Sequence, residues 1–152
     1  MPEKKTLQKA RRARREGKAP TTQAGAFVEE EIEHIREGKH GARSTKQAIA
    51  IGLSKARRAG VKLPPPPQSA SDRTKRSAKS AAKHQGKQPS SSRSRAAKSA
   101  LKKESRAAAS PKALSRHAKQ AARRRPARAR KASAKKAART RARRQRGVRH
   151  PR

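Results

Sequence analysis

The chain has 152 residues, of which 46 are Lys or Arg and 9 are Asp or Glu, so its formal net charge is +37. With 30% hydrophobic residues and one aromatic residue, it has too few large apolar side chains to bury a sizeable core over its full length. The absence of cysteine excludes disulfides and thiolate chemistry, and no apolar run approaches the roughly 18 residues that a membrane span needs.

The distribution of charge predicts four parts. Residues 1–63 carry a net charge of +9 and hold most of the large apolar residues, whereas residues 64–152 carry +28. The change falls at four consecutive prolines, which favour a stiff polyproline II spacer. We therefore predict a basic N-terminal arm, a helical hairpin, a Pro- and Ser-rich linker and a basic Ala-, Lys- and Arg-rich tail, at residues 1–20, 21–63, 64–95 and 96–152.

The first helix of the hairpin is indicated by apolar residues that recur on one helical face, namely Phe27, Val28, Ile32 and Ile35. Thr21 or Thr22 is the expected N-cap, and Gly38 and Gly41 are expected to end the helix. We interpret the acidic run of this helix as a solvated face, because adjacent acids on a helix do not converge on one ion.

The second helix has a sharper start. Ser44 to Gln47 fits a capping box, with Ser44 as N-cap and Gln47 at the third helical position. Ile49, Leu53 and Ala56 share a face, and Gly60 is the expected end.

The hairpin is expected to be only weakly stable. Its nine large apolar side chains contribute about 14–27 kcal/mol to folding if all are buried. Ordering some forty residues costs more than that, so we expect a weakly stable module that a homodimer through residues 21–63, or a bound partner, would stabilise.

The linker and the tail are low in complexity. Residues 68–95 are expected to be disordered, and from Ala96 onward the composition changes to strong helix formers. Ser110 and Pro111 suit a helix start, and Pro126 should separate two helical segments. Like charges four residues apart repel, so these helices are expected to form only when phosphates are bound. The predicted fold class is a mostly disordered chain with a small all-α N-terminal module.

Basic clusters recur along the whole chain and are the predicted nucleic-acid contacts. Arg suits phosphate because its planar guanidinium donates two parallel hydrogen bonds. The predicted binding residues act collectively and are Arg11, Arg12, Arg14, Arg15, Lys46, Lys55, Arg57, Arg58, Arg123, Arg124, Arg125, Arg128, Arg130, Lys131, Lys135, Lys136, Arg139, Arg141, Arg143, Arg144 and Arg146. With Phe27 as the only aromatic residue, stacking on single strands is disfavoured, and duplex DNA is favoured over RNA.

Catalytic and metal sites are not predicted. The five histidines show no pairing with an acid of the metalloprotease type, and no nucleophile elbow or phosphate-cradling glycine loop is present. We expect no enzyme activity, no cofactor, no metal and no small-molecule substrate. A membrane partner is not expected either, since the tail has alanine where an amphipathic membrane helix needs large apolar residues.

Two parts of the chain, the Lys46 to Arg57 segment and the basic tail, resemble known protein families. The segment Lys46 to Arg57, KQAIAIGLSKAR, resembles a family of uncharacterised small basic bacterial proteins, with similarity over about residues 20–63. This resemblance implies a bacterial source and no mechanism. The tail resembles the basic tails of bacterial histone-like proteins in composition, and its Ser110-Pro111-Lys112 step resembles linker-histone repeats.

The function expected from the sequence is non-specific DNA binding by a nucleoid-associated, histone-like protein of the bacterial cytoplasm, which compacts or protects DNA. Two alternatives stay open. One is an RNA- or ribosome-associated basic protein, since basic tails also thread structured RNA. The other is an interaction protein that acts through its helical hairpin and uses the tail as an anchor.

Overall fold

The structure is a computed structural model that describes residues 2–87 and 90–148, without the side chains of residues 143, 144 and 146–148. Within these ranges the chain is all-α, with seven α-helices and one 3₁₀ turn, Arg106–Ala109. The helices are α1 (Lys4–Arg15), α2 (Pro20–Arg36), α3 (Thr45–Arg58), α4 (Asp72–Lys83), α5 (Ser91–Lys102), α6 (Pro111–Arg123) and α7 (Ala127–Val148).

The expectation of a mostly disordered chain is therefore wrong. It counted only large apolar residues as core formers, whereas most of the buried hydrophobic residues are alanines. It also gave too much weight to like-charge repulsion, which costs only about 0.2–0.5 kcal/mol per pair on a helix. Alanine, lysine and arginine have among the highest helix propensities, and that preference is realised in the linker and tail as well as in the hairpin.

Two compact units make up the chain, Met1–Leu114 and Ser115–Arg152. The N-terminal unit holds 29 of the 46 basic residues and all nine acidic residues, so it carries +20. The C-terminal unit carries +17 in 38 residues with no acidic residue. The four-part division drawn from charge remains a prediction. Helices α1 and α4 occupy the predicted arm and linker, and both pack on the hairpin helices.

Helix α2 begins earlier than predicted, because its N-cap lies two residues before Thr21. Pro20 is its first residue and Ala19 its N-cap, without a side-chain hydrogen bond, so Thr21 and Thr22 lie inside the helix. Proline suits this position because its ring fixes φ near the helical value and its missing N–H has no helical partner to lose. At the other end, Gly38 adopts φ 78° and donates its N–H to Ile35, which confirms it as the helix terminator.

Helix α3 starts with the predicted capping interactions. Ser44 Oγ accepts the N–H of Gln47 at 3.2 Å. The Gln47 side chain reaches back to the N–H of Arg43 at 2.8 Å, one residue before the standard partner of a capping box. The helix ends at Arg58, and Gly60 follows with φ 91°.

The crossing of α2 over α3 determines where the core lies. A Cβ added to Gly52 would lie 2.8 Å from Val28 Cα and 3.0 Å from the Phe27 carbonyl oxygen, so only glycine allows the two backbones to come this close. The α3 face turned inward is therefore small, and its buried members are Thr45, Ala48, Gly52 and Ala56. Of the predicted face, Ala56 is buried, Leu53 is half-buried and packs against the buried cluster that contains Phe27 and Ala56, and Ile49 is half-buried.

A segment far along the chain completes this core. We call residues 101–114 the closing segment. Two backbone N–H groups of the α2–α3 loop donate to it, from Gly41 to Leu101 at 2.9 Å and from Ala42 to Ser105 at 3.0 Å. Thr45 Oγ1 donates to the carbonyl of Ala108 at 2.7 Å, and Arg36 Nε to that of Ala109 at 3.0 Å. Ala108, Ala109 and Leu114 thereby pack with Ile32, Ile35, Ala42 and Ala48.

The two tail helices begin and end near the residues predicted to bound them. Ser110 Oγ accepts the N–H of Ala113 at 3.2 Å, so α6 starts at Pro111 as expected. It ends at Arg123, and α7 begins directly after Pro126. In α7 every side chain described is exposed except that of Ala129. This helix is therefore stabilised by the helix propensity of its own residues, above all its alanines.

None of the described helices has the combination of length and apolar character that a bilayer span requires.

Gly41→Ala is expected to destabilise the N-terminal unit. A Cβ at this position would overlap the carbonyl oxygen of Glu104, a backbone atom that cannot rotate away. Overpacking of this kind costs about 1–3 kcal/mol, so the midpoint of urea unfolding should fall. Gly25→Ala is the matched control, since Gly25 lies inside α2 with open space around it, and alanine there should stabilise by about 0.5–1 kcal/mol. Equal midpoints for the two variants would show that Glu104 does not pack on Gly41.

Candidate nucleic-acid interface

Most acidic residues lie beside a basic residue of the N-terminal unit. Eight of the nine have a basic partner within 4.0 Å, Glu33 being the exception. The lysines and arginines in these pairs are Lys9, Arg12, Lys18, Lys39, Arg43, Lys55 and Lys75. Among the described side chains, no lysine or arginine after Lys75 pairs with a carboxylate. Within the described part of the chain, the positive charge of the later helices therefore has no carboxylate beside it.

Three arginines of the N-terminal arm surround one concave surface. Arg11, Arg14 and Arg15 line it together with Gln8, and all four side chains are exposed. Helix α1 produces this arrangement because Thr6 and Ala10 face α2 and leave the opposite side to the guanidinium groups. Arg12 differs from the other three, since its Nε donates to Glu16 Oε1 at 2.9 Å. The arm thus provides three guanidinium groups that have no carboxylate within 4.0 Å among the described residues.

The predicted contacts on α3 divide into two kinds. Lys46 is exposed at the start of the helix. Lys55 is directed inward, with its Nζ 2.6 Å from Glu31 Oε2, so it is engaged in an ion pair and we leave it out of the proposed interface. Arg57 and Arg58 are half-buried, and Arg57 donates to the carbonyl of Pro64 at 3.1 Å.

The predicted tail residues are exposed wherever their side chains are described, and they are Arg123, Arg124, Arg125, Arg128, Arg130, Lys131, Lys135, Lys136, Arg139 and Arg141. Arg143, Arg144 and Arg146 lie outside the described side chains. Residues three and four apart are neighbours on a helix, so Arg128, Lys131, Lys135 and Arg139 form one cationic stripe along α7. At 1.5 Å per residue the 22 residues of α7 span about 33 Å, close to one turn of B-DNA.

Buried acids are the main feature that the sequence analysis missed. Glu30 is 3% exposed and Glu31 is 0% exposed, so the interpretation of this run as a solvated face is wrong for these two residues. Lys55 Nζ lies 3.6 Å from Glu30 Oε1 in addition to its pair with Glu31. We call Glu30, Glu31, His34, His40 and Lys55 the buried carboxylate cluster. Its sequence signal is the spacing of Glu31 and His34, which are three apart and share a helical face.

Two histidines complete the cluster from different directions. His34 lies on α2, and the turn that follows Gly38 brings His40 back over the same helix, so the ring centroids are 6.3 Å apart. His40 Nε2 lies 3.3 Å from Glu31 Oε1. Among the described residues, Glu31, His34 and His40 are the group whose possible ligand atoms could hold a metal ion.

Three exposed ionisable groups next to these elements have shifted pKa values. A hydrogen bond from His34 is the main factor that lowers the pKa of Glu3. Hydrogen bonds from Lys18 and then Arg12 lower the pKa of Glu16, and a hydrogen bond to Glu37 is the main factor that raises the pKa of Lys39. These groups are therefore charged over a wide pH range, and the 3.5 Å contact of Glu3 with Lys39 joins the start of α1 to the α2–α3 loop.

Comparison with known proteins finds one similarity. Residues 3–66 match the model of a family of unknown function, DUF6496. This range contains α1, α2 and α3, including the segment Lys46 to Arg57, and it stops before the closing segment. No curated protein and no solved structure matches the chain.

Proposed function

We propose that this chain binds duplex DNA without sequence preference and compacts or protects it. The observation that carries the proposal is the separation of charge described above. Acids are mostly paired inside the N-terminal unit, while the arginines and lysines of α6 and α7 whose side chains the structure describes are exposed and have no carboxylate partner among the described residues. Such a surface attracts a polyanion, and each phosphate that it neutralises releases a counterion from the nucleic acid.

Compaction follows from the presence of two basic units in one chain. The units carry +20 and +17, so each can hold phosphates of its own. When one unit is bound, the other is confined near the same duplex, and its binding to a second segment benefits from a high effective concentration. A chain with this property brings duplex segments together. The bacterial nucleoid is the cellular site we propose, in line with the family resemblance of Lys46 to Arg57.

The primary test is binding of the full chain to a random-sequence duplex and to a structured RNA over a series of salt concentrations. We expect the duplex to bind at least as tightly as the RNA, with affinity that falls by about 10³-fold or more between 50 and 200 mM salt. A clear preference for RNA would support the RNA- or ribosome-associated alternative. Binding with little salt dependence would favour an interaction protein that acts through its helical hairpin.

The arm gives a sharper test of the same proposal. Replacing Arg11, Arg14 and Arg15 by Gln should lower the slope of log affinity against log salt by up to about 2.7, because each phosphate that an arginine neutralises adds about 0.9 to that slope. Affinity should fall equally for duplexes of different sequence, because phosphate contacts carry no base information.

Arg12→Gln is the matched control for the triple variant, since Arg12 lies on the same helix and is already paired with Glu16. It should change the slope by less than any one of the other three arginines. If the triple variant kept the wild-type slope, the arm would have no part in the interface. If Arg12→Gln alone abolished binding, the picture of many weak contacts would be wrong.

A further inference from the structure

The hydrogen bonds of His40 define the state of its other ring nitrogen. His40 Nδ1 lies 3.0 Å from the carbonyl oxygen of Gly41. A carbonyl oxygen only accepts, so Nδ1 carries the proton and donates. In the neutral ring Nε2 is then a bare lone pair, and it faces Glu31 Oε1, which also carries only lone pairs, at 3.3 Å. Two acceptors at this distance are held together either by a proton on Nε2 or by a metal ion between them.

Glu31 also lacks a hydrogen-bond donor at the oxygen that faces His40. Its side chain is fully buried, and Oε1 has no hydrogen-bond donor among the described residues. Lys55 Nζ lies 2.6 Å from Oε2 and compensates that oxygen as an ion pair, so the deficit is at Oε1. A buried carboxylate oxygen without a donor is costly, and coordination of a metal ion is one of the few ways to satisfy it.

The net charge of the buried carboxylate cluster also favours a bound cation. Two buried carboxylates, Glu30 and Glu31, face one ammonium group, that of Lys55. The side chains of Glu30, Glu31 and Lys55 together carry one net negative charge in the interior of a protein that is strongly positive elsewhere. A cation bound beside His40 offsets this negative charge.

We propose that Glu31, His34 and His40 form a binding site for a divalent transition-metal ion of the zinc class. One ring nitrogen of each histidine and one carboxylate oxygen of Glu31 lie within 4.8 Å of one another. Two imidazoles and a carboxylate are a ligand set that Zn²⁺ uses, with a fourth position left to water. The 3.3 Å between His40 Nε2 and Glu31 Oε1 equals the ~3.3 Å that separates two ligands of a tetrahedral ion at about 2.0 Å.

The surroundings of the site fit this role. The bond from His40 Nδ1 to the Gly41 carbonyl fixes the ring and its tautomer, which is the common outer interaction of a metal-binding histidine. The side chains of His34 and His40 are 14% and 12% exposed, so an ion can reach them from solvent while Glu31 stays buried. Because the ion would join α2 to the α2–α3 loop, it would stabilise the N-terminal unit. This inference is independent of the proposed DNA binding.

The test uses the full chain, freed of metal by a chelator that is then removed. Zn²⁺ is titrated calorimetrically, and Co²⁺ is titrated while its ligand-field absorption is recorded. We expect one ion per chain and a higher midpoint of thermal unfolding with Zn²⁺. His34→Gln and His40→Gln should each weaken Zn²⁺ binding by about tenfold or more, since each removes one of three protein ligands.

Two controls separate a site from misfolding or adventitious binding. His84→Gln should bind Zn²⁺ like the wild type, because His84 is an exposed histidine of the same unit that bonds to Ser80. Lys55→Met should bind Zn²⁺ more tightly than the wild type, since it removes the ammonium that competes for Glu31. Loss of helicity cannot produce that gain.

Other results would overturn the proposal. One is the absence of saturable Zn²⁺ binding by the wild type. Another is a His84→Gln variant that loses as much affinity as His40→Gln. A third is a ¹⁵N spectrum in which His40 is an imidazolium at neutral pH and does not respond to Zn²⁺, because a proton would then occupy the position assigned to the metal.

Discussion

Deleting Ser115–Arg152 is expected to lower the affinity for a random-sequence duplex by about 10²-fold or more at moderate salt. The deletion removes 17 basic residues and no acidic residue. It leaves Leu114 and the rest of the closing segment in place, so the core of the N-terminal unit is retained. If half of the removed residues contact phosphates, the slope of log affinity against log salt falls by about 8. Equilibrium binding over a salt series measures both quantities.

A full-length control separates charge from chain length. Replacing Arg128, Lys131, Lys135 and Arg139 by Gln keeps the helix formers of α7 and removes its cationic stripe. The slope should fall by about 3–4, while circular dichroism shows unchanged helix content. A truncated chain that binds DNA as tightly as the full chain would mean that the N-terminal unit alone, with its charge of +20, is the binding module.

Phe27→Ala is expected to unfold the N-terminal unit or to lower its free energy of unfolding by about 3–5 kcal/mol. Phe27 is fully buried and is the largest side chain in its cluster, whose other buried members are Ala10, Ala24, Ala56 and Val61. Alanines held in helices cannot move far enough to fill the resulting cavity. Since small domains are stable by only about 5–15 kcal/mol, one such loss is a large share of the total.

Ile51→Ala is the control for this variant, because Ile51 is half-buried and belongs to neither buried cluster. It should shift the unfolding midpoint only slightly. Circular dichroism is the suitable measurement, since the chain contains no Trp and no Tyr to report by fluorescence. Similar midpoints for the two variants would show that Phe27 is not the centre of this core.

Local signals in the sequence predicted the positions of several helix boundaries. The capping residue Ser44, the terminators Gly38 and Gly60, and the Ser110–Pro111 start all act through neighbouring backbone groups, so a short window contains their whole cause. The closing segment could not be found in this way. Ala108 and Ala109 have no large apolar surface, and their burial depends on a distant loop that supplies N–H groups and a glycine.

The buried carboxylate cluster was hidden for a related reason. In a chain with this composition, a run of glutamates is expected on the surface, and the burial of Glu30 and Glu31 depends on packing by α1 and α3. His40 joins them only because the chain reverses at Gly38. The exposed basic residues, by contrast, were predictable one by one, since charge without a nearby acid remains in solvent. Lys55, Arg57 and Arg58 are exceptions, since all three are half-buried and Lys55 has two acidic partners across the helix pair.

The bonds from Gly41 to Leu101 and from Ala42 to Ser105 close a loop of about sixty residues, which costs about 4 kcal/mol of chain entropy. During synthesis at roughly 5–20 residues per second, α2 and α3 emerge several seconds before Ala108 and Ala109 exist. Ile32 and Ile35 are uncovered on the nascent chain during that interval. Mutual repulsion between highly cationic nascent chains then opposes their aggregation, so the charge that we propose binds DNA would also protect the protein while it is being made.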